Sequence, residues 1–331
     1  MNAFNPYSLF MDLRNKYYDT VKSSQINIQI PIISVGNLTT GGSGKTPFIM
    51  YLIQLMKTNN SKLNILVVSK SYKTKLKQPQ EVILDSIDAV SMYGDEPCLI
   101  KKKYPEANVW SGPNKSETVL AALKYYKSTQ VRIDLILIDD GFSHRKLKRS
   151  LDIVLLDATQ SLAHYRVLPF GHMREDFSSL IRAQLIVLTK VNQARPETLN
   201  FLKQKIKDLN LSYIKTDLKT DFDQQISENT KAFVFSGIAN PESFEKSLVD
   251  QKINIIENMK CPDHMMYTDL NQNDIYQRFL SSKAELICTT AKDLIKINHS
   301  ELLKNIKVLE AQIKIATNEE VKIYETIRTL V

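Results

Sequence analysis

The stretch Gly36-Asn37-Leu38-Thr39-Thr40-Gly41-Gly42-Ser43-Gly44-Lys45-Thr46 decides the fold, because it joins an apolar run to a segment with helical periodicity. A glycine-rich turn between a strand and a helix is the setting of a phosphate-binding P-loop. In such a loop the backbone amides hold phosphate oxygens, and the start of the helix adds its positive dipole end. Thr39 stands where the common GxxxxGK(S/T) pattern has its first glycine.

This loop predicts a nucleotide site that uses ATP and Mg²⁺. Lys45 is placed to reach the β- and γ-phosphates, and the hydroxyl of Thr46 is placed to hold Mg²⁺. The alternative is a glycine-rich turn with a chance Lys-Thr pair, and the strand-to-helix setting argues against it. The predicted ATP-binding residues are Asn37, Thr39, Thr40, Gly41, Gly42, Ser43, Gly44, Lys45 and Thr46.

Short apolar runs alternate with helical patterns on both sides of the loop. Residues 28–35 predict the strand before it, and residues 46–57 predict the helix after it, since apolar residues recur there every three or four positions. Continuous apolar strands are typical of a sheet buried on both faces. The pattern therefore predicts an α/β fold like that of P-loop NTPases, a mostly parallel sheet with helices on both faces. Further predicted strands are residues 63–69, 134–138, 152–156, 185–189, 232–235, 253–256 and 285–289.

The polar stretch at residues 216–230 predicts a boundary between two domains. We expect a P-loop domain at residues 26–222 and a second, smaller α/β domain at residues 223–331. Within residues 1–25, apolar side chains recur every four positions from Leu9 to Val21, which predicts an amphipathic helix. Two interpretations of this helix stay open, a position on a membrane surface and ordinary packing on the core.

The bulk composition narrows the function. A formal net charge of +8 favours anionic partners, whether nucleotides, phosphorylated substrates, acidic lipids or nucleic acid. The three cysteines, Cys98, Cys261 and Cys288, are far apart and indicate neither a disulfide framework nor a zinc site. The sequence lacks a signal segment and a run of about 18 apolar residues, which predicts a cytoplasmic protein that at most touches a membrane.

Acidic pairs follow or precede predicted turns at two places. Asp139 and Asp140 come directly after an apolar strand, where carboxylates can organise Mg²⁺. Asp95 and Glu96 precede a proline, and either can supply the base that a phosphoryl transfer to a hydroxyl requires. Capped turns are the alternative at both places. From spacing alone, the histidine of Asp263-His264 has no preferred role.

Arg174 and Glu175 follow a turn that Pro169 and Gly171 impose. Arginine suits two-point binding of phosphate and stabilisation of transition-state charge. A surface ion pair between the two residues is an equally good interpretation of the sequence alone.

Seven motifs in order along the chain resemble those of the tetraacyldisaccharide 4′-kinases, the lipid A 4′-kinases of Gram-negative bacteria. One such motif is weak, but seven in sequence are specific, and threonine at position 39 is part of the resemblance. The motifs are VGNLTTGGSGKTP (35–47), GDEP (94–97), DDGFSHRKL (139–147), LPFGHMRE (168–175), SGIANPESF (236–244), CPDHMMYT (261–268) and TTAKDLIKI (289–297).

The resemblance implies a reaction and a place for it. The γ-phosphate of ATP is expected to pass to the 4′-hydroxyl of a tetraacylated glucosamine disaccharide 1-phosphate, giving lipid IVA. The family further implies a cleft between two lobes, which the smaller domain closes. Because the substrate is a membrane lipid, it also favours a peripheral position of the N-terminal helix on the cytoplasmic face of the inner membrane. We expect neither nucleic acid nor an obligate protein partner.

The resemblance also implies roles for single residues. Asp95 is the expected base for the acceptor hydroxyl, and His264 is expected to orient it. Lys45 and Arg174 complete the expected catalytic residues. The implied metal site consists of Thr46, Glu96, Asp139, Asp140 and Glu175.

Two departures from the family pattern stand out. Residues 70–73 read Lys-Ser-Tyr-Lys where Arg-Gly-Tyr-Gly is usual, and Ser143 replaces a glutamine. Neither affects a phosphate-handling position, so we expect an active enzyme. The principal alternative is a P-loop nucleotide-dependent switch or metallochaperone. GTPase switches normally carry the guanine-reading motif Asn/Thr-Lys-x-Asp, and residues 189–192, Thr-Lys-Val-Asn, differ from it in one residue type. A membrane-binding module and a nucleic-acid-binding protein are weaker alternatives, the latter without a recognisable motif.

Overall fold

Alternating strands and helices run through the whole computed structural model, which describes residues 5–21, 25–71, 74–85 and 88–331. Short 3₁₀ helices lie at Leu162–Tyr165, Phe177–Arg182 and Val191–Gln193. The strands are β1 (Ile32–Asn37), β2 (Ile65–Lys70), β3 (Gln80–Glu81), β4 (Asn108–Gly112), β5 (Leu135–Asp139), β6 (Leu151–Asp157), β7 (Leu185–Thr189), β8 (Tyr213–Phe222), β9 (Lys231–Ser236), β10 (Asn254–Lys260), β11 (Leu286–Thr290) and β12 (Ile306–Ile315). The helices are α1 (Pro6–Thr20), α2 (Lys45–Asn59), α3 (Ala89–Tyr93), α4 (Asp95–Lys103), α5 (Lys115–Ser128), α6 (Pro196–Asp208), α7 (Pro241–Asp250), α8 (Asp269–Ser281), α9 (Ala291–Leu294), α10 (Ser300–Asn305) and α11 (Thr317–Arg328).

The strands of the described residues form one sheet in the order β10-β9-β11-β12-β8-β7-β6-β1-β5-β2-β4-β3. Neighbouring strands are parallel except for the pairs β8–β12 and β3–β4, which are antiparallel. The predicted α/β fold with a mostly parallel sheet is thus confirmed. In the same described residues, no helix has the combination of length and apolar character that a membrane span requires.

Alternation along the central strands explains the helices on both faces. Successive side chains of a strand point to opposite faces, so an unbroken apolar run supplies two cores at once. Ile33 and Val35 of β1 pack with α2 in one core, while Ile32 of the same strand packs with Val119 of α5 on the other face. Fully burying each such side chain contributes about 1.5–3 kcal/mol, which makes this double layer the main stabilising element.

The strand β8 joins the two parts of the sheet. Its first residues pair with β7 in parallel, and residues 216–222 pair with β12 in the antiparallel direction. The polar stretch that suggested a domain boundary is therefore partly strand, because an exposed strand can alternate polar and apolar residues. The division of the chain at residues 222 and 223 stays a prediction. The last helix, α11, packs Ile323 and Ile327 against the core that β1 and α2 share.

Candidate active site

The P-loop connects β1 to α2 and forms one wall of a cavity of about 1430 Å³. Its residues from Thr39 to Thr46 line this cavity, as the sequence predicts for an ATP site. Gly44, the residue that caps α2, has φ 85°, a left-handed conformation that strains any residue with a Cβ. This backbone turns the loop sharply enough for the first amides of α2 to face the cavity, where they offer an anion site.

Asn37 lies beneath the loop rather than on the cavity wall. Its side chain is fully buried, and its Oδ1 accepts hydrogen bonds from Lys45 Nζ at 3.3 Å and from Arg174 Nη2 at 2.6 Å. The sequence predicts Asn37 as an ATP-binding residue, whereas in the structure it positions two cations that line the cavity. A buried side chain at the last position of β1 can act on phosphate only through these neighbours.

The turn at residues 168–174 holds the other side of the P-loop. The amide of Thr40 donates to the carbonyl of His172 at 2.8 Å, and the amide of Arg174 donates to the carbonyl of Leu38 at 2.7 Å. These bonds place Arg174 against Asp140, and its two terminal nitrogens bind both carboxylate oxygens at 2.6 and 2.9 Å. The P-loop and the arginine that follows it by more than a hundred residues therefore form one rigid unit.

Two aspartates at the end of β5 have opposite electrostatic surroundings. Burial acts to raise the pKa of Asp140, but Lys45 and Arg174 outweigh it and hold that pKa well below its usual range. For Asp139, burial and then the nearby Glu96 raise the pKa to about 7. One oxygen of Asp139 accepts from Ser69 Oγ at 3.2 Å, and the other is buried with no hydrogen-bond partner in the described residues.

These carboxylates fit Mg²⁺. A buried, unpartnered carboxylate oxygen at the end of a strand next to a P-loop is a ligand or a water acceptor for a divalent ion, which would also stabilise its ionised form. Thr46, Glu96 and Asp140 line the same cavity. Three metal-ligating side chains of the His, Cys, Asp or Glu type do not cluster anywhere in the described residues, and Mg²⁺ is commonly bound by one or two carboxylates together with phosphate oxygens.

Glu175 does not join this group. Its Oε2 accepts from Arg182 at 2.6 Å and from Asn15 of α1 at 3.0 Å, and its side chain is 1% exposed. It is absent from the cavity wall, although its neighbour Arg174 lines it. The resemblance predicts that Glu175 binds the metal. In the structure, Glu175 instead forms a buried ion pair with Arg182 beneath α1. Arg174 therefore faces the cavity, whereas the side chain of Glu175 is directed to Arg182 and Asn15.

His264 lines the cavity that the P-loop bounds, and it contacts Asp95, whose side chain is largely buried. Asp95 starts α4, and His264 lies in the loop after β10 with φ 61°. Nδ1 of His264 lies 2.9 Å from Oδ2 of Asp95, a distance at which the ring donates to the carboxylate. Burial acts to raise the pKa of Asp95, but the hydrogen bond from His264 and the charges of Lys292 and Lys296 outweigh it and lower that pKa. Residues 169 positions apart are thus brought together as the motifs suggested.

Several cavity residues carried no signal in the sequence. Lys115 is 5% exposed and donates from Nζ to the carbonyl of Asp140, and burial lowers its pKa. Lys190 forms a buried ion pair with Asp157 at 2.6 Å below the P-loop. Each lysine stands alone in the sequence among many surface lysines, so only the path of the chain reveals it. Lys292 belongs to the motif at residues 289–297, but the resemblance implies no role for this lysine.

The helix α1 lies with its polar side toward the protein. Asn15 donates to Glu175, and Arg145 donates to the carbonyl of Asn15 at 2.8 Å. The apolar stripe faces outward, a result opposite to ordinary core packing. Its exposed side chains are Leu9 (47%), Phe10 (63%), Leu13 (58%) and Tyr17 (54%).

The two departures from the family pattern lie at Ser143 and at residues 70–73. The carbonyl of Ser143 accepts a hydrogen bond from Arg14 of α1. Tyr72 and Lys73 lie outside the described residues. Lys70 lines the cavity at the end of β2.

The chain is similar to known proteins over nearly its whole length. The family described as Tetraacyldisaccharide-1-P 4′-kinase matches residues 5–331. A tetraacyldisaccharide 4′-kinase of Bdellovibrio bacteriovorus is 32% identical over 88% of this chain and 86% of its own length. One of Aquifex aeolicus is 32% identical over 96% of this chain and 94% of its own length. A crystal structure of LpxK from Aquifex aeolicus in complex with ATP covers 98% of this chain and 96% of its own, with a TM-score of 0.75 and 29% identity.

Proposed function

The chain belongs to the tetraacyldisaccharide-1-phosphate 4′-kinase family, and we propose that it transfers the γ-phosphate of ATP to the 4′-hydroxyl of a tetraacyldisaccharide 1-phosphate. The product is lipid IVA, an intermediate of lipid A biosynthesis. The observation that carries this proposal is the contact of Asp95 with His264, since His264 lines the same cavity as the P-loop. A nucleotide switch needs no base at that place, whereas a kinase needs one near the acceptor hydroxyl.

The phosphates of ATP bind along the P-loop, from Gly41 to Thr46. Lys45 contacts the β- and γ-phosphates, and Arg174 adds a planar cation that is already held by Asp140 and Asn37. Thr46 and one or two of the carboxylates of Glu96, Asp139 and Asp140 would hold Mg²⁺, which when bound neutralises charge on phosphate oxygens of ATP. Because these groups are fixed before ATP arrives, little reorganisation is needed at the moment of transfer.

Asp95 accepts the proton of the 4′-hydroxyl as its oxygen bonds to the γ-phosphorus and the bond to ADP breaks. His264 donates to Oδ2 of Asp95 and so fixes the direction of the carboxylate. A low pKa makes Asp95 a weak base in the resting enzyme. In a loose transition state the hydroxyl proton leaves late, so a positioned carboxylate suffices even when its basicity is modest.

The outward apolar stripe of α1 supports a position of the enzyme on the surface of the membrane that holds its lipid substrate. Apolar side chains of an amphipathic helix enter the boundary between headgroups and acyl chains, and neighbouring cations attract anionic lipids. Lys16 is exposed beside the stripe. The proposed location is the cytoplasmic face of the inner membrane, with the protein bound peripherally.

One assay tests the reaction directly. Purified protein is incubated with ATP, Mg²⁺ and the tetraacyldisaccharide 1-phosphate in detergent micelles, and the 4′-phosphorylated product is followed by mass spectrometry. Folded protein that forms no such product contradicts the proposal. ATP hydrolysis that does not depend on the lipid, with no phosphorylated lipid, would instead favour a nucleotide-dependent switch.

A further inference from the structure

One histidine and two lysines of the smaller lobe converge on the carboxylate of Asp95. His264 Nδ1 lies 2.9 Å from Oδ2, Lys292 Nζ lies 3.6 Å from it, and Lys296 Nζ lies 3.7 Å from it. One carboxylate that already accepts a hydrogen bond from a histidine does not need two lysines for its own stability, because burying additional charges costs desolvation energy. At least one of these cations therefore has another purpose.

The charge of Lys296 is balanced by a carboxylate of its own lobe. Its side chain is 0% exposed, and its Nζ lies 3.2 Å from Oδ1 of Asp293, an equally buried carboxylate. Asp293 in turn accepts from the amide of Gly237 and from the hydroxyl of Tyr267, each at 3.0 Å. Lys296 thus balances a buried charge in the base of the smaller lobe.

Among the described residues, no carboxylate of the smaller lobe lies within ion-pair distance of Lys292. Its side chain is 21% exposed and lines the cavity. Its Nζ lies 3.6 Å from Asp95 and 3.7 Å from Glu96, both beyond hydrogen-bond distance and both in the P-loop lobe. Nε2 of His264, at 3.3 Å, is within reach of a hydrogen bond. An ammonium has three donors, so Lys292 keeps capacity for an acceptor in the cavity.

The backbone around Lys292 is firmly placed. Thr290 caps the short helix α9 by accepting the amide of Asp293 at 3.1 Å, and its own hydroxyl donates to that carboxylate at 2.7 Å. The buried bonds of Asp293 fix α9 to the rest of its lobe. The position of Lys292 therefore follows the smaller lobe as a whole, and the lysine faces the wall that carries Glu96 and the P-loop.

We propose that Lys292 is a catalytic residue that donates hydrogen bonds to the transferring phosphoryl group. In the reaction the 4′-oxygen forms a bond to the γ-phosphorus, the bond to the ADP oxygen breaks, and the hydroxyl proton goes to Asp95. Lys292 keeps its protons and stabilises the charge on the equatorial phosphoryl oxygens, as a cation supplied in cis does in other phosphoryl transfers. This inference rests on the proposed kinase function.

The test compares Lys292→Met, which has no charge, with Lys292→Arg, which keeps it. The matched control is Lys260→Met, which removes a lysine of the same lobe that pairs with Glu242 and Glu245 at the surface. Turnover and KM are measured with the micellar lipid substrate, ATP affinity by isothermal titration, and folding by thermal denaturation. We expect Lys292→Met to lower kcat on the order of 10²–10³-fold with ATP affinity changed less than about threefold. Lys292→Arg should recover at least about tenfold of that loss, and the control should match the wild type.

Each result decides the matter. Lys292→Met with kcat within about threefold of wild type overturns the inference, as does a loss that Lys292→Arg does not recover in any part. A weaker ATP affinity that accounts for the whole loss of activity also overturns the inference, because Lys292 would then contribute to binding of ATP in the ground state. If Lys292→Met does not fold, Lys292→Gln replaces it under the same criteria. Wild-type protein without 4′-phosphorylated product would instead contradict the proposed function itself.

Discussion

Arg174 binds Asp140 through both of its terminal nitrogens, and one of these nitrogens also donates to Asn37 at 2.6 Å. The guanidinium therefore links the end of β5 to the end of β1 beneath the P-loop. A planar group with several donors in fixed directions makes such a link, while an ammonium on a flexible stem does not. Its place in the cavity wall means that the same plane is offered to a phosphate.

We expect Arg174→Lys to lower kcat by at least about tenfold although the charge is kept, because one nitrogen cannot serve Asp140 and a phosphate in the same geometry. Turnover with the micellar substrate measures the effect. Arg166→Lys is the control, since Arg166 is an exposed arginine of the adjoining turn. Equal activity of the two variants would show that only the charge of Arg174 matters.

Asp95→Asn removes the base and keeps the shape of the side chain. We expect kcat to fall on the order of 10²-fold or more, with ATP affinity largely unchanged, because the P-loop is not altered. Single-turnover kinetics with separate ATP titration measure the two effects. Asp88→Asn, an exposed aspartate just before α3, is the control. A near-normal rate of the Asp95 variant would exclude this residue as the base.

The exposed stripe of α1 gives a prediction about membrane binding. Replacing Leu9, Phe10 and Leu13 together by serine should weaken co-sedimentation with anionic vesicles by at least about tenfold, since each buried CH₂ group contributes about 0.8 kcal/mol. The fold should be kept, because these side chains are exposed. Serine at three exposed apolar positions of the smaller lobe is the matched control, namely Val249, Leu270 and Leu280. Unchanged partitioning of the α1 variant would remove the membrane role of this face.

His144 makes stability depend on pH. Burial, with a smaller effect of Lys115, lowers its pKa to about 4, whereas an unfolded chain binds the proton near pH 6.5. The unfolded state thus holds more protons between these values, so the contribution of His144 to stability is present above about pH 6.5 and is lost as the pH falls toward 4.

In His144→Gln this contribution is absent. The free energy of unfolding of the wild type, minus that of the variant, should decrease by on the order of 1–2 kcal/mol from pH 7 to pH 4.5, after allowance for the partial exposure of the ring. Urea unfolding at several pH values measures the difference, and other titrating groups cancel because both proteins share them. A difference that does not change with pH would contradict the low pKa.

The sequence predicts those elements of the fold that contiguous residues specify. The P-loop and the strands on either side of it are specified by contiguous residues, and β1, α2, β5 and β6 lie within a few positions of the predicted ranges. The strands β8 and β12 escaped prediction, because their alternating charged residues resemble surface loops until an antiparallel partner is known. The sequence does not predict the exposure of the α1 stripe either. Periodicity shows which side chains share a face of the helix, but not what that face contacts.

The candidate site shows the same division. Lys45 and Thr46 follow from spacing alone, whereas the Asp95–His264 contact joins residues 169 positions apart and is implied only by the resemblance to a family. Glu175 shows the limit of that resemblance, because an adjacent residue in a motif can point to the opposite side. Lys292 required distances across the cleft.

We expect the ionised carboxylate of Asp139 to lower the stability of the protein in the absence of ligands. Its carboxylate is 2% exposed, burial raises its pKa to about 7, and one oxygen lacks a hydrogen-bond partner in the described residues. Asp139→Asn removes this buried charge without changing the shape. At pH 8, without nucleotide or Mg²⁺, we expect the variant to be more stable by on the order of 1–3 kcal/mol.

The same variant should lose at least about 10²-fold in kcat, and Mg²⁺ with ATP should raise its midpoint of thermal denaturation less than that of the wild type. Scanning fluorimetry with and without Mg²⁺ and ATP measures both shifts. Asp134→Asn removes a carboxylate just before the same strand, where Oδ2 accepts the amide of Asn64 at 2.9 Å, and should lower stability instead. An Asp139→Asn protein that is less stable than wild type without ligands would mean that the carboxylate is satisfied in the resting fold, and the fit of Mg²⁺ to this oxygen would lose its basis.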